Sequence, residues 1–318
     1  MKKYKKLILL FLIIIAFSCI ISPIVKIPLD FMLERTNFLT EAVDYKDGVY
    51  DFGKVMRRVL MLAALIVFVF FGKSLKIVTL ISSAIRLRHG FLRQFLFGFL
   101  MAGISLLIYY SLAILFGAWM IHVDFDSVRI IVSKIIKYVL LGCLIGFIEE
   151  AFFRGFILQS FMEDVSLPVA VCACSLIYSM LHFFRADVHV ATGFQAFVGF
   201  TTIIQFFKPL FFQFIKNLPS IIGLFLVSVV LSYAFIQTKS LYLSIGLHSG
   251  WIFMMKADGL FLVRIREMWG WFFGDSKLVT GILVWFFLLC ILVVIKRIYN
   301  NTHRFGVNIN GENLKRAC

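Results

Sequence analysis

Charged residues are scarce in this chain, and their scarcity is its most restrictive property. Asp, Glu, Lys and Arg supply 15% of the 318 residues, whereas hydrophobic types supply 61% and include 38 phenylalanines. A soluble domain contains roughly 45–50% apolar and about 25% charged residues. The composition, with a mean hydropathy of +0.97, therefore excludes a chain of one or two soluble domains.

Long uncharged runs recur along the sequence, as in Leu7–Val25, Phe95–Met120 and Ile221–Gln237. Each is close to the length that crosses a hydrocarbon core of about 30 Å as a helix. We predict an all-α fold, a polytopic transmembrane helical bundle of about eight spans. The predicted spans are 7–25, 55–72, 95–120, 131–161, 167–184, 220–237, 241–256 and 278–296.

Acidic residues are rarer than basic ones, 17 against 32, which gives a net charge of +15. The lysines and arginines cluster before the first span, after the second and after the last, all on one side of an eight-span chain. This is the pattern of the positive-inside rule. We therefore expect a multi-pass cell membrane protein with both termini cytoplasmic, with the lipid bilayer and no nucleic acid as partner. The short lysine-rich start and the lack of organelle signals favour a prokaryotic membrane.

Two segments lie outside this scheme. The connection 26–54 is mixed in charge and is expected to face outward. Gly193–Phe207 is an uncharged run of about fifteen residues, which is short for a crossing. A re-entrant or interfacial helix is the favoured interpretation; a spanning helix is the alternative, and it would invert the orientation of everything after it.

Three charges interrupt the apolar stretch Val139–Met162: Glu149, Glu150 and Arg154. A charge at the centre of a spanning helix costs roughly 2.5–3.5 kcal/mol on insertion scales, so such residues usually mark a functional site. Residues four apart share a helix face, which allows Glu150 to pair with Arg154. Glu149 points about 100° away from Glu150 and suits a general base. A polar clamp between helices, with no chemistry, is the alternative.

Two glycines lie on the same helix face as Glu150 and Arg154. Gly142 and Gly146 have the small-xxx-small spacing that lets another helix approach closely. Two histidines lie in later apolar spans, His182 at the end of Tyr178-Ser-Met-Leu-His182 and His248 within Ile245-Gly-Leu-His248. Each alone fits a helix–helix hydrogen bond. Together with Glu149 they place a carboxylate and two imidazoles on three helices.

These motifs resemble the CAAX-processing and bacteriocin-processing (CPBP, or Abi) family of intramembrane endopeptidases. That family carries EExxxR, then FxxxH, then HxxxN or HxxxD. Here Glu149-Glu150-xxx-Arg154, Tyr178-xxx-His182 and His248 follow in the same order. The resemblance covers about residues 131–256. We accordingly predict N-terminal membrane helices with one outward loop over 1–130, a CPBP-like catalytic core over 131–256, and a last span with a basic tail over 257–318.

The resemblance implies proteolysis of a hydrophobic or lipidated peptide or protein near a bilayer face. By position, Glu149 and His182 would orient and deprotonate a water, and His248 would donate to the oxyanion. Glu150 and Arg154 would support the site. Independently of the resemblance, amide hydrolysis needs an activated water and donors aimed at the developing negative charge.

Ile252 departs from the family pattern, because it stands where the third motif has asparagine or aspartate. Isoleucine cannot donate a hydrogen bond; Ser249 and Trp251 are the neighbouring groups that can. A non-catalytic protein of the same fold, with an immunity, chaperone or interaction role, is therefore the second interpretation. A transporter is the third, disfavoured because no internal repeat is present. Trp251, Trp269, Trp271 and Trp285 suggest interface anchors or lipid-facing side chains.

Metal dependence is a separate question. Glu149, His182 and His248 have the ligand types of a His₂Glu zinc site, but the chain lacks an HExxH motif, and its six cysteines lack CxxC spacing. We favour a site without a cofactor, in which a glutamate activates the water. A zinc ion on those three residues is the alternative.

Overall fold

Helices make up most of the structure, a computed structural model that describes residues 2–36, 39–73, 76–86, 90–122, 128–265, 269–274 and 278–313. A π-helical segment, Phe153–Leu158, joins α5 to α6. The helices are α1 Lys3–Arg35, α2 Phe52–Phe71, α3 Ile77–Ala84, α4 Phe91–Leu115, α5 Val128–Phe152, α6 Gln159–Met162, α7 Leu167–Leu181, α8 Val198–Phe211, α9 Phe214–Thr238, α10 Tyr242–Ala257, α11 Gly270–Phe273 and α12 Ile282–Asn313. The prediction of an all-α helical bundle is confirmed.

Four three-residue strands were not predicted: β1 Val49–Asp51, β2 Trp119–Ile121, β3 His189–Ala191 and β4 Leu262–Arg264. They form two antiparallel ribbons, β1 with β3 and β2 with β4. The paired strands are distant in sequence and each is very short. The sequence of neither ribbon therefore shows the polar–apolar alternation by which a strand is recognised.

Among the described residues, five helices are long and apolar enough to cross a membrane, namely Tyr4–Arg35, Phe91–Leu115, Val128–Met162, Phe214–Thr238 and Ile282–Tyr299. They make the chain a multi-pass membrane protein. The other predicted spans coincide with α2, α7 and α10, of which α7 and α10 have 15 and 16 residues. The count of eight spans stays a prediction.

The first helix is longer than predicted: the predicted span ends at residue 25, whereas α1 ends at Arg35. Pro23 and Pro28 both lie inside the helix. The expected outward connection 26–54 is therefore helical over its first ten residues. Lys26 and Asp30 pair one turn apart at 2.7 Å, an i,i+4 arrangement that supports a helix. Lys26, Asp30 and Asp51 are buried, so this part of the connection is not the exposed polar loop that its charges suggested.

The chain divides into two compact units. Unit 1 contains Met1–Thr79, Ser160–Ser166 and Ile177–Leu218, and unit 2 contains Leu80–Gln159, Leu167–Leu176 and Pro219–Cys318. The division into 1–130, 131–256 and 257–318 stays a prediction about domains, since the units are groups of packed segments that interleave along the sequence.

Unit 1 is built on α1, α2 and α8. Its apolar cluster contains Cys19, Leu33, Val43, Tyr50, Phe52, Val55, Met56, Val59, Val198, Ile203 and Phe206. Gly199 lets α8 touch the backbone of α1, since a Cβ there would lie 2.4 Å from the Cys19 carbonyl oxygen. At 14 residues, α8 is roughly 21 Å long, which is shorter than a hydrocarbon core and favours the re-entrant or interfacial interpretation.

Unit 2 packs α10 directly against α4 and α5. A Cβ on Gly246 would lie 2.1 Å from the Phe95 carbonyl oxygen of α4, and one on Gly142 would lie 2.8 Å from the Ser249 carbonyl oxygen of α10. The small-xxx-small face predicted at Gly142 and Gly146 is therefore the surface on which α10 lies. Contact between helix backbones on both sides fixes where the side chains of α10 point.

Trp251 corrects the interpretation of the tryptophans as interface residues. Its side chain is buried, and its indole N–H points at Ser105 Oγ on α4 at 3.4 Å. Buried tryptophans usually find such a partner for the N–H. Trp251 is a packing residue between α10 and α4.

Candidate active site

Glu150 and Arg154 form a buried ion pair at the end of α5. Arg154 Nη1 lies 2.8 Å from Glu150 Oε1, and both side chains are 0% exposed. The pairing predicted from their spacing is thus present. Buried charges are tolerated when they are paired and hydrogen-bonded, and the remaining donors of Arg154 show how this is achieved.

Ser228 on α9 holds the other side of the guanidinium. Arg154 Nη2 donates to Ser228 Oγ at 2.8 Å and to the Ser228 carbonyl oxygen at 3.1 Å. The sequence analysis missed Ser228. A hydroxyl within an otherwise apolar span was the signal available, because such groups commonly bond across to a neighbouring helix.

Arg154 lies in the π-helical segment, where the wider turn disturbs the regular backbone ladder. Carbonyl oxygens of this segment accept bonds from side chains: Cys174 Sγ lies 3.5 Å from the Phe153 oxygen, and Gln159 Nε2 donates to the Gly155 oxygen. Single π turns inside α-helices are frequent at functional sites. Here the π turn begins directly after the residues that carry the carboxylates.

His248 brings α10 to this ion pair. Its Nδ1 lies 2.8 Å from Glu150 Oε1, and the ring is almost fully buried. The carboxylate paired with Arg154 is ionised and only accepts hydrogen bonds, so we assign the proton to Nδ1. Nε2, the other ring nitrogen, therefore faces away from Glu150.

Glu149 lies on the far side of the imidazole. Its Oε2 is 3.8 Å from His248 Nε2, and its side chain is 31% exposed. That separation is longer than a hydrogen bond, and Oε2 accepts no hydrogen bond within the described part of the chain. The two glutamates therefore have different environments: Glu150 is bonded to Arg154 and His248, while the Glu149 side chain is 31% exposed, although its Oε2 beside Nε2 is buried.

His182 is described with unit 1, to which it belongs. It follows the last residue of α7, its side chain is exposed, and its Nδ1 lies 2.8 Å from the Tyr178 carbonyl oxygen. Its ring also packs on Tyr178 with centroids 4.6 Å apart. The aromatic residue and the histidine of the second motif thus contact each other one turn apart.

Ile252, one turn beyond His248, offers no polar group. Ser249 faces α5, since a Cβ on Gly146 would lie 2.6 Å from Ser249 Oγ. That hydroxyl is buried and interacts with the Cys143 thiol of α5. It is therefore a donor on the α5 side of α10, and Trp251, the other donor considered, is directed at α4.

The side chains of the described residues bear on the question of metal ligation. No group of three or more His, Cys, Asp and Glu residues in the described ranges is arranged to hold a metal ion. In unit 2 the open pair of Glu149 and His248 supplies two ligands, whereas a catalytic zinc site takes three from the protein. The site without a cofactor and the zinc alternative on Glu149, His182 and His248 both stay predictions.

A buried carboxylate, a guanidinium and an imidazole from α5, the π-helical segment and α10, joined by Ser228 of α9, define a helical membrane protein with a polar intramembrane site. Residues 131–254 match the family model described as type II CAAX prenyl endopeptidase Rce1-like. The resemblance to the CPBP and CAAX protease family is thereby confirmed over almost the stretch predicted. A comparison with curated proteins and another with solved structures each gave no match. The family match supports peptidase activity of the intramembrane CAAX type.

Proposed function

We propose that the protein is an intramembrane endopeptidase that cleaves a hydrophobic or lipidated peptide or protein with a water activated by Glu149. The observation that carries the proposal is the pairing of a partly open carboxylate with an oriented imidazole. Glu149 Oε2 is 3.8 Å from His248 Nε2, and Glu150 fixes the ring from behind at 2.8 Å. Orientation of a catalytic ring by a second carboxylate is a recurrent device in hydrolases.

In the proposed reaction, Glu149 takes a proton from water as the water oxygen bonds to the scissile carbonyl carbon. The carbonyl π electrons move to oxygen and form the oxyanion. Glu149 then returns the proton to the leaving nitrogen as the C–N bond breaks. Proton transfer by a positioned carboxylate contributes typically 10²–10⁴-fold in rate.

His248 is proposed to donate to the oxyanion from Nε2. Because the Nδ1 proton is committed to Glu150, donation from Nε2 requires the imidazolium form. His182 is proposed, from the resemblance alone, to help orient the water. Arg154 and Ser228 keep Glu150 in place and do not touch the reacting atoms.

Cleavage by purified, detergent-solubilised protein tests the proposal. A library of hydrophobic and lipidated peptides is incubated with wild type and Glu149→Gln, each with and without a chelator. We expect cleavage by the wild type, none by the variant, and no effect of the chelator. Full activity of Glu149→Gln in a folded protein rejects the mechanism, and loss of activity with chelator assigns it to a metal.

A non-catalytic role is the second candidate, and Ile252 favours it because the third-motif donor is missing. In that case a cellular phenotype would survive Glu149→Gln but not Gly146→Leu, which displaces α10 from α5. A phenotype that follows the carboxylate and not the packing counts against this role.

We also propose that both termini are cytoplasmic, as the distribution of lysine and arginine indicates. Reporter domains fused to each end of the chain test this orientation. One external and one cytoplasmic terminus would show that the number of crossings is odd, and two external termini would show that the orientation is inverted.

A further inference from the structure

A second buried ion pair lies in unit 1, far along the sequence from the candidate site. Lys26 Nζ is 2.7 Å from Asp30 Oδ2, with side chains 1% and 11% exposed. Lys26 also donates to the carbonyl oxygens of Ala191 at 2.9 Å and Gly193 at 2.7 Å. All three ammonium donors thus have an acceptor, two of them on the backbone of a single turn.

Asp30 also hydrogen-bonds to this turn. Its Oδ2 accepts the Gly193 N–H at 3.0 Å, and its Oδ1 accepts the Tyr50 hydroxyl at 2.7 Å. Gly193 has a left-handed φ of +104°, a conformation that glycine adopts without a Cβ penalty. The ion pair therefore holds a backbone turn of defined shape.

Asp51 secures the preceding residues. Its Oδ1 accepts the N–H groups of Val188 and Gly53, each at 2.9 Å, and the Phe52 N–H donates to the Val188 oxygen at 2.8 Å. Between these anchors, β1 pairs with β3 from Val49↔Ala191 to Asp51↔His189. Consequently, hydrogen bonds connect the backbone of residues 188 to 193 to α1 and β1 along its length.

The residues that make these contacts and the segment that they contact come from different parts of the sequence. Lys26, Asp30, Tyr50 and Asp51 precede the Rce1-like stretch 131–254, whereas residues 188–193 lie within it. The held segment begins six residues after His182, the second-motif histidine. Phe184 adds an apolar anchor between them, with its ring 4.9 Å from Phe207 and 5.5 Å from Phe206 of α8.

We propose that Lys26 and Asp30 are positioning residues for His182. In this proposal the N-terminal helices, which the family match does not include, fix the segment that follows this histidine. The role assigned to His182 rests on the proposed function. A buried ion pair is often no more stabilising than apolar residues of similar volume. Its specific contribution here is to hydrogen-bond backbone carbonyl and amide groups, which an apolar pair could not do.

The test separates stability from positioning. Lys26→Met alone leaves the Asp30 charge buried and is expected to lower the melting temperature strongly. Lys26→Met/Asp30→Leu removes both charges and is expected to recover most of the lost melting temperature. The hydrogen bonds to residues 191 and 193 remain absent in this variant. Tyr50→Phe removes a single hydroxyl from Asp30 and provides a milder variant that retains the ring.

Two readouts are taken on each variant and on the wild type. Hydrogen exchange is expected to be faster for amides 183–193 and unchanged for α10. Cleavage is expected to show kcat reduced about tenfold or more with KM retained, since small misplacements of catalytic groups can cost 10²-fold. The matched control is Lys54→Met/Asp44→Asn, which removes a more exposed ion pair of unit 1 and is expected to leave both readouts unchanged.

The double variant decides the matter. Wild-type exchange in residues 183–193, or wild-type kcat in a protein whose exchange has risen there, overturns the proposal. The exchange measurement needs no substrate. If the wild type cleaves nothing, the proposed function fails on its own, and the exchange data still decide whether Lys26 and Asp30 hold this segment.

Discussion

Glu150 Oε1 lies 2.8 Å from His248 Nδ1, and the same oxygen lies 2.8 Å from Arg154 Nη1. A single carboxylate oxygen therefore joins a histidine on α10 to an arginine one turn away on its own helix. Since Arg154 is in turn held by Ser228 of α9, three helices determine the direction of one imidazole. The consequences of removing each part are distinct.

Glu149→Gln and Glu150→Gln are expected to differ although the residues are adjacent. Glu150→Gln leaves Arg154 buried without its counter-charge, and breaking a buried pair typically costs 3–5 kcal/mol. Glu149 is 31% exposed and its Oε2 lies 3.8 Å from His248 Nε2, beyond hydrogen-bond length, so Glu149→Gln should alter stability by less than about 1 kcal/mol. Thermal unfolding in detergent measures the difference, and equal melting temperatures for the two variants would contradict the assigned environments.

Ser228→Ala is expected to destabilise the protein by about 1–3 kcal/mol, because a charged donor loses its side-chain acceptor. Ser232→Ala is the matched control: Ser232 lies one turn further on α9, is buried, and its hydroxyl has no hydrogen-bond partner within the described residues. That change should be neutral or stabilising. Denaturation of both variants tests the contact, and similar losses would show that Arg154 does not depend on Ser228.

Gly246→Ala is expected to disrupt unit 2, since the added Cβ would lie 2.1 Å from a backbone oxygen of α4. Gly103→Ala on α4 adds the same atom where nothing lies within 4 Å, and alanine is favoured over glycine in a helix by about 1 kcal/mol. The yield of folded protein in size-exclusion chromatography should fall for the first variant and hold for the second. A well-folded Gly246→Ala protein would show that α10 is not in backbone contact with α4.

Asp258, in the 3₁₀ turn after α10, predicts a dependence of stability on pH. Burial raises the pKa of this carboxyl above its ordinary value of 3.8, and a hydrogen bond from Tyr110 partly opposes the effect. A group whose pKa is raised by folding stabilises the folded state below its unfolded pKa and loses that contribution as pH rises through the folded value.

The melting temperature of wild type relative to Asp258→Asn should therefore fall from about pH 3.5 towards neutrality. Melting curves of the two proteins across that range measure the effect. A constant difference would mean that burial does not disfavour the charged form of Asp258.

Local spacing was sufficient to predict part of the site. The Glu150–Arg154 pair and the close-packing face at Gly142 and Gly146 follow from helical periodicity within one element, and both are present. Ser228 and the Lys26–Asp30 clamp depend on which segments become neighbours, a property that no single helix encodes. Trp251 was misjudged for the same reason, because its surroundings are set by α4.

Two further misses have local causes. The π turn at Phe153–Leu158 interrupts the regular period on which the analysis relied. The first span was placed on the uncharged run 7–25, yet α1 continues to Arg35 with Pro23 and Pro28 inside the helix. Serine side chains bond to main-chain oxygens in this region, as Ser22 does to Ser18, and such bonds help a proline-containing helix in an apolar setting.

The glycine contacts of α10 also limit how this molecule can move. Sliding the helix along its axis would bring the Cβ atoms of neighbouring residues against the carbonyls of α4, and rolling it would do the same on the side of α5. The direction of the His248 ring is therefore set by the packing of α10. Under the proposed mechanism, we expect discrimination between substrates to depend on the side chains that border Glu149, so that changes of specificity can arise there without altering the helix packing that holds the imidazole.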